Sequence, residues 1–313
     1  MDVQMRQLPF DPATLNGLSE KLLRSHHENN YGGAVKRLNA IRAQLENLRF
    51  ASTPGFQLNG LKREELIANN SMILHELYFD CLTGGGKPME PAMALALAAN
   101  FGSTERWTEE FVAMGKALGG GSGWVLLTFQ QRDGTLVNQW SSDHTQALAG
   151  GVPILALDMY EHSYHLDFGA GVGAYVDAFM NNVDWAKVYA RYQVAVHAAS
   201  EPFGAAQEKI GSAVVVDVRR AGVFDKASTV IPGAEWRDPA RVAEWSGELQ
   251  GKGEVIVYCV YGHEVGRATA MRLRAAGVDA RYLCGGIDGW QAAGKELQPK
   301  LAGTKDESRG MAS

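Results

Sequence analysis

The chain has 313 residues, 46% of them apolar and 21% charged, with a net charge of −5 at pH 7. That length suggests two domains, and the apolar share is enough for two cores. The acidic balance and the lack of a long basic stretch argue against a nucleic-acid partner. Three cysteines, Cys81, Cys259 and Cys284, are too few and odd in number for a disulfide framework. No basic-then-apolar leader is visible before Pro12, and no run of about 18 apolar residues could cross a bilayer. A cytoplasmic protein without a membrane partner is expected.

Leu8 to Pro12 reads as an extended arm because its prolines resist helix. A helical pattern follows from Leu15 through Leu18 and Leu22, with His26 on the same stripe, and continues from Val35 to Leu48. Gly32-Gly33 is expected to kink or break it. A second helix is expected from Leu61 to Leu82, with His75 facing inward and Gly84 to Pro88 ending it. The two make an antiparallel helix pair, each member carrying an inward histidine. Helices are also expected over Glu90–Asn100 and from Thr104 to Leu118, then a glycine-rich turn. That turn leads into a strand and is followed by neither helix nor Lys, so it is no phosphate loop.

Strands are expected at Trp124–Gln131 and Thr135–Trp140, joined by a tight turn at Asp133-Gly134. The apolar run Val152–Leu157 reads as a third strand of a small antiparallel sheet. Asp158 stands where this strand ends, with His162 four residues on. With His26 and His75 they supply three imidazoles and a carboxylate, a donor set suited to a first-row transition metal. A glycine-bearing loop around Gly169, Gly171 and Gly173 and a helix from Trp185 to Ala198 complete this half.

These residues carry a resemblance to the iron/manganese superoxide dismutases over about the first 195 positions. Its carriers are Leu8-Pro9-Phe10, the His26-His27 pair, His75, Gly121-Ser122-Gly123-Trp124, the Asp158-to-Tyr164 segment with Tyr160, Glu161 and His162, and Asn182-Val183-Asp184-Trp185. The resemblance implies a helical hairpin domain over 1–90 and an α/β domain with a three-stranded antiparallel sheet over 91–200. It places the ligands of a mononuclear Fe or Mn ion on His26, His75, Asp158 and His162, with a solvent molecule as fifth ligand. Superoxide would be the substrate, and oxygen and hydrogen peroxide the products. It also implies that Glu161 reaches the neighbouring subunit's His162, favouring a homodimer.

Around the ligands the sequence departs from the family. Ala34 stands for its funnel tyrosine, Asn30 for a histidine, and Ser71 for one of two alternative glutamines. Tyr160 stands for a tryptophan and His165 for a tyrosine. His144, near the other glutamine position, is the candidate replacement donor to the bound solvent. The alternative to dismutation is a metal-holding sensor or interaction protein of the same fold.

After Ser200 to Gln207 the pattern alternates: strand Ala213–Val218, helix Val242–Leu249, strand Val255–Tyr258, helix Gly266–Ala276, strand Ala280–Leu283. This is a parallel sheet with helices packed on it. Val215 to Arg219, Ile231 to Ala234, Val257-Tyr258-Cys259 and Leu283 to Trp290 resemble a rhodanese-like sulfurtransferase domain over 205–300. The resemblance puts the nucleophile on Cys259, which would take sulfur from a sulfane sulfur donor and carry it as a persulfide. Backbone N–H groups and the following helix are expected to lower its pKa. Glu264 replaces a basic residue common in the family and is expected at the rim, repelling thiosulfate. Cys284 reads as a packing residue, and residues 301–313 as a polar tail. The whole is an α/β multidomain chain.

Overall fold

The computed structural model describes residues 2–211 and 213–300. The tail expected at 301–313 lies outside them. The chain divides into two units, one of Met1–Phe129 with Leu136–Tyr192, the other of Gln130–Thr135 with the residues from Gln193 on.

In the first unit helix α1 (Glu20–Ser25) starts where the Ser19 side chain accepts from the Leu22 amide at 3.1 Å. A wider π turn, His26–Tyr31, follows, and α2 (Gly32–Glu46) continues directly from it. The expected break at Gly32-Gly33 is therefore corrected. The irregularity lies one turn earlier, where the Gly32 amide bonds back to the His27 carbonyl. Gly32 serves close approach instead: a Cβ there would lie 3.0 Å from the Met5 sulfur. α3 (Gly55–Asp80) runs antiparallel to α2. Tyr31 meets Glu76 near one end of the pair, and Arg42 meets Glu65 further along.

Helices α4 (Pro91–Phe101) and α5 (Thr104–Ala117) lead to strands β1 (Trp124–Gln130), β2 (Leu136–Ser141) and β3 (Gly151–Asp158), ordered β2-β1-β3. β1 and β2 are antiparallel. Their connection is wider than a two-residue turn. Gln130 bonds to Thr135, and the Asp133 carboxylate accepts from the Thr135 amide and hydroxyl. Short α6 (His165–Phe168) and then α7 (Val172–Asn181) occupy the stretch read as a glycine loop. α7 forms because Tyr175, Val176 and Phe179 make a buried stripe that outweighs the flanking glycines. α8 (Trp185–Ser200) closes the series, and the division between units falls within it.

The second unit has a parallel five-stranded sheet ordered β4-β9-β8-β5-β7. Its strands are β4 (Gly204–Ala205), β5 (Val214–Asp217), β7 (Glu235–Trp236), β8 (Val255–Tyr258) and β9 (Ala280–Leu283). β6 (Thr229–Val230) pairs separately with β10 (Gln298–Pro299). The strands carry apolar residues on both sides because both sides are covered. Val216, Val257 and Tyr282 pack in one core with Trp245, Leu249 and Leu273. Ile256, Tyr258 and Leu283 pack in another with Ile287 and Trp290. The covering helices are α9 (Ala221–Lys226), α10 (Val242–Trp245), α11 (Glu264–Ala275) and α12 (Gly286–Ala292).

Candidate metal centre and candidate sulfur site

His26 stands at the start of the π turn, His75 in the last turns of α3, Asp158 at the end of β3, and His162 just beyond it. The fold brings all four together. Asp158 Oδ2 lies 3.0 Å from His26 Nε2, 3.4 Å from His75 Nε2 and 3.2 Å from His162 Nε2. One ligand atom from each lies within 4.8 Å of all the others. His26, His75 and Asp158 are buried, while the His162 side chain is 25% exposed.

The hydrogen bonds around these groups aim them. The Tyr160 amide donates to Asp158 Oδ1 at 2.9 Å, leaving Oδ2 for the imidazoles. His75 Nδ1 donates to the Ser71 carbonyl at 2.6 Å, so its Nε2 presents a lone pair. That lone pair faces His162 Nε2 at 3.3 Å. Burial lowers the pKa of His26, and pushes that of His75 down to about 3, so both rings are neutral electron-pair donors. Burial opposes ionisation of Asp158. Its interactions with the neighbouring His162 and then His26 rings outweigh it and hold the carboxyl well below its usual range. Lone pairs and a carboxylate facing one another at these distances fit a cation between them.

His144, expected as a donor, lies near this centre. Trp124 Nε1 donates to His144 Nδ1 at 3.0 Å, so in the neutral ring Nε2 carries the proton. Burial lowers its pKa, which favours that neutral form. Its ring lies 6.2 Å from that of His75 and stacks on Tyr160 at 4.7 Å and 11°. Tyr160 stacks in turn on His162 at 5.3 Å and 14°. Asn70 on α3 ties down the loop by donating to the His144 carbonyl at 2.6 Å. Ala34 is buried in α2 and Ser71 is buried beside His75. Glu161 is exposed next to His162.

Two supporting tyrosines escaped the sequence reading. Tyr175 donates to the Asp158 carbonyl at 2.7 Å, and the Tyr78 ring lies 5.0 Å from that of His26. Tyr175 was hidden in the glycine-bearing stretch. Tyr78, three residues after His75, was visible only as an apolar position of α3.

In the second unit Cys259 follows β8 and is 5% exposed. The amides of Gly266, Gly262, His263 and Tyr261 point at its sulfur, as expected of a strand-to-helix loop. The expected lowered pKa is nevertheless corrected, because burial pushes the thiol up by more than these amides pull it down. Glu264 is corrected too. It is buried at the start of α11, 3.6 Å from the Arg220 guanidinium, instead of standing at an open rim. Cys284, read as packing, is exposed.

Comparison with known proteins agrees with this geometry. Residues 89–191 match the model of the iron/manganese superoxide dismutase C-terminal domain. A "Superoxide dismutase [Fe]" of Cupriavidus metallidurans is 65% identical over 193 residues, covering 62% of this chain and 98% of that protein. The chain belongs to the iron/manganese superoxide dismutase family.

More distant members of the family show the same extent of similarity. "Superoxide dismutase [Mn] 1" of Haloferax volcanii is 37% identical over 201 residues, covering 62% of this chain and 97% of its own. "Superoxide dismutase [Fe]" of Aquifex pyrophilus is 33% identical over 195 residues, covering 60% and 90%. Residues 203–293 match the rhodanese-like domain, which contains Cys259, Glu264 and Cys284. Among the described residues no helix is long and apolar enough to cross a membrane.

Proposed function

We propose that the protein is a superoxide dismutase joined to a rhodanese-like persulfide carrier. The observation that carries this is the convergence of three Nε2 atoms on one oxygen of Asp158. His26, His75, Asp158 and His162 would hold one Fe or Mn ion, whose one-electron redox chemistry converts two superoxide ions and two protons to oxygen and hydrogen peroxide. Iron is the expected ion, since the 65% identical relative is named for it and the manganese-named ones stand near 37%.

The chain's own residues orient and supply protons. Ser71 and Tyr160 fix the direction of His75 and Asp158. His144 holds a proton on Nε2, and Trp124 keeps it there. Exposed Glu161 beside His162 supports a homodimer through that edge. The domain limits we infer are 1–90, 91–200 and 205–300.

In the second domain the Cys259 thiolate attacks the outer sulfur of a sulfane donor. The new S–S bond leaves a persulfide on Cys259, and the donor's remaining group departs with the electron pair.

The test is superoxide consumption by protein of measured iron and manganese content, compared with Asp158→Ala. Activity proportional to metal, lost in the variant, is expected. Full metal content with no consumption would favour the sensor or interaction reading, for which buried Ala34, with no hydroxyl to offer, is the specific support.

A further inference from the structure

We propose that Arg267 is a positioning residue for the Cys259 sulfur: by holding the Gly262 carbonyl it aims the amide of the same peptide, that of His263, at the sulfur. This rests on the reading of Cys259 as a persulfide carrier and deepens it. The loop from Cys259 to His263 joins β8 to α11, and the amides of Tyr261, Gly262, His263 and Gly266 point at the sulfur. In a trans peptide the C=O and the N–H of one plane point in opposite directions. A loop amide therefore stays on the sulfur while the carbonyl of its own peptide is held on the far side.

Two of these peptides are held in different ways. The Val260 carbonyl, in one peptide with the Tyr261 amide, accepts from the Asp288 amide at 2.9 Å. That partner is main chain of α12 and depends on no side chain. The Gly262 carbonyl, in one peptide with the His263 amide, accepts from Arg267 Nε at 2.9 Å. Gly262 has φ +70° and lies so close to the turn after β9 that a Cβ would stand 2.8 Å from the Leu283 carbonyl oxygen. Glycine permits this bend and by itself restrains the next peptide little. Arg267 supplies the restraint.

The guanidinium is itself fixed. The Arg267 side chain is 13% exposed, lies over the Tyr282 ring at 4.2 Å, and reaches Ser200 Oγ at 3.2 Å and Glu201 Oε2 at 3.4 Å. Other titratable groups surround the loop. Glu264 pairs with Arg220 at 3.6 Å, and the His197 ring of α8 lies 5.9 Å from that of His263. The Cys259 sulfur carries negative charge twice in a transfer. It does so first as the attacking thiolate. It does so again when an acceptor thiolate bonds the outer sulfur, the S–S bond breaks and its electron pair returns to Cys259. A fixed amide stabilises the charge on both occasions.

The test uses the full chain and three variants. In Arg267→Gln the amide nitrogen stands where Nε does, without the charge. In Arg267→Met a methyl carbon stands there, also without the charge, and no N–H remains. Arg267→Lys keeps the charge but places carbon at that position. The readout is the pH midpoint of Cys259 alkylation, resolved from Cys81 and Cys284 by peptide mass spectrometry. Loss of one amide from the thiolate should raise the midpoint by about one pH unit in Arg267→Met. The rise should be smaller in Arg267→Lys and absent in Arg267→Gln. Persulfide loading from glutathione persulfide at pH 7 should slow about threefold or more in Arg267→Met, since thiolate is lost faster than nucleophilicity is gained. The half-saturating donor concentration should stay unchanged. If Arg267→Met does not fold, Arg267→Lys takes its place in the comparison with Arg267→Gln. Equal midpoints in the two variants compared, raised or not, overturn the proposal, because the N–H at that position then makes no difference. Absence of persulfide on wild-type Cys259, with the midpoints as expected, overturns the carrier reading and leaves the aim of the amide standing.

Discussion

Replacing His144 by Ala separates its structural role from its proposed chemical one. The substitution removes the acceptor of the Trp124 N–H bond at 3.0 Å and leaves a buried indole donor unpaired. Such an orphan costs about 1–3 kcal/mol. It also removes the ring stacked on Tyr160 at 4.7 Å, worth about 0.5–1.5 kcal/mol. The sum is a loss of about 1.5–4.5 kcal/mol in urea unfolding of the metal-loaded protein. If His144 Nε2–H delivers a proton in the reaction, dismutation per bound ion should fall by about a hundredfold or more. His144→Gln, which keeps an N–H donor, should recover part of the rate, and the metal's reduction potential should move in both variants. Trp124→Phe removes the bond that sets the tautomer and should lower the rate less than His144→Ala. An unchanged rate per ion and an unchanged potential in His144→Ala, with stability alone reduced, would refute the reasoning.

His75→Ala removes a buried candidate ligand whose Nδ1 proton is held by the Ser71 carbonyl. Metal content measured after dialysis should drop to a small fraction of wild type, and added iron or manganese should no longer raise the melting temperature. In the second domain burial raises the Cys259 thiol pKa, so at neutral pH the thiolate is the minor form. Its alkylation rate should climb about tenfold per pH unit beyond the ordinary thiol range near 8.5. A plateau below pH 8 would contradict this. Arg219 donates to both Asp217 carboxylate oxygens at 2.9–3.0 Å, and both residues are buried. Arg219→Ala leaves that carboxylate without its counter-charge and should cost about 3–5 kcal/mol, seen as selective unfolding of the rhodanese-like domain. Loss of the first domain's signal instead would disprove it.

The four candidate ligands were legible in the amino-acid sequence because their roles depend on residue type and local period. His26 and His75 lie on apolar helical stripes, and Asp158 ends a buried strand one short turn before His162. The alternating strands and helices after residue 204 were legible for the same reason. Local pattern said nothing reliable where packing overrides it. The π turn at His26–Tyr31 is a matter of backbone registry, and α7 exists only because its apolar stripe finds a core to face.

What the tertiary structure alone decided is the environment of each reactive group. A loop histidine becomes a candidate donor only because Trp124 and Tyr160, from β1 and the segment beyond β3, hold its ring near His75. Glu264 is an ion-paired carboxylate and not a rim charge because Arg220, far off in sequence, folds against it. Cys259 is shifted upward because desolvation outweighs its amides, while Cys284 is exposed. Residue identity sets which chemistry is available; distance and burial, which no linear pattern carries, set its pKa, its partner and its access to solvent.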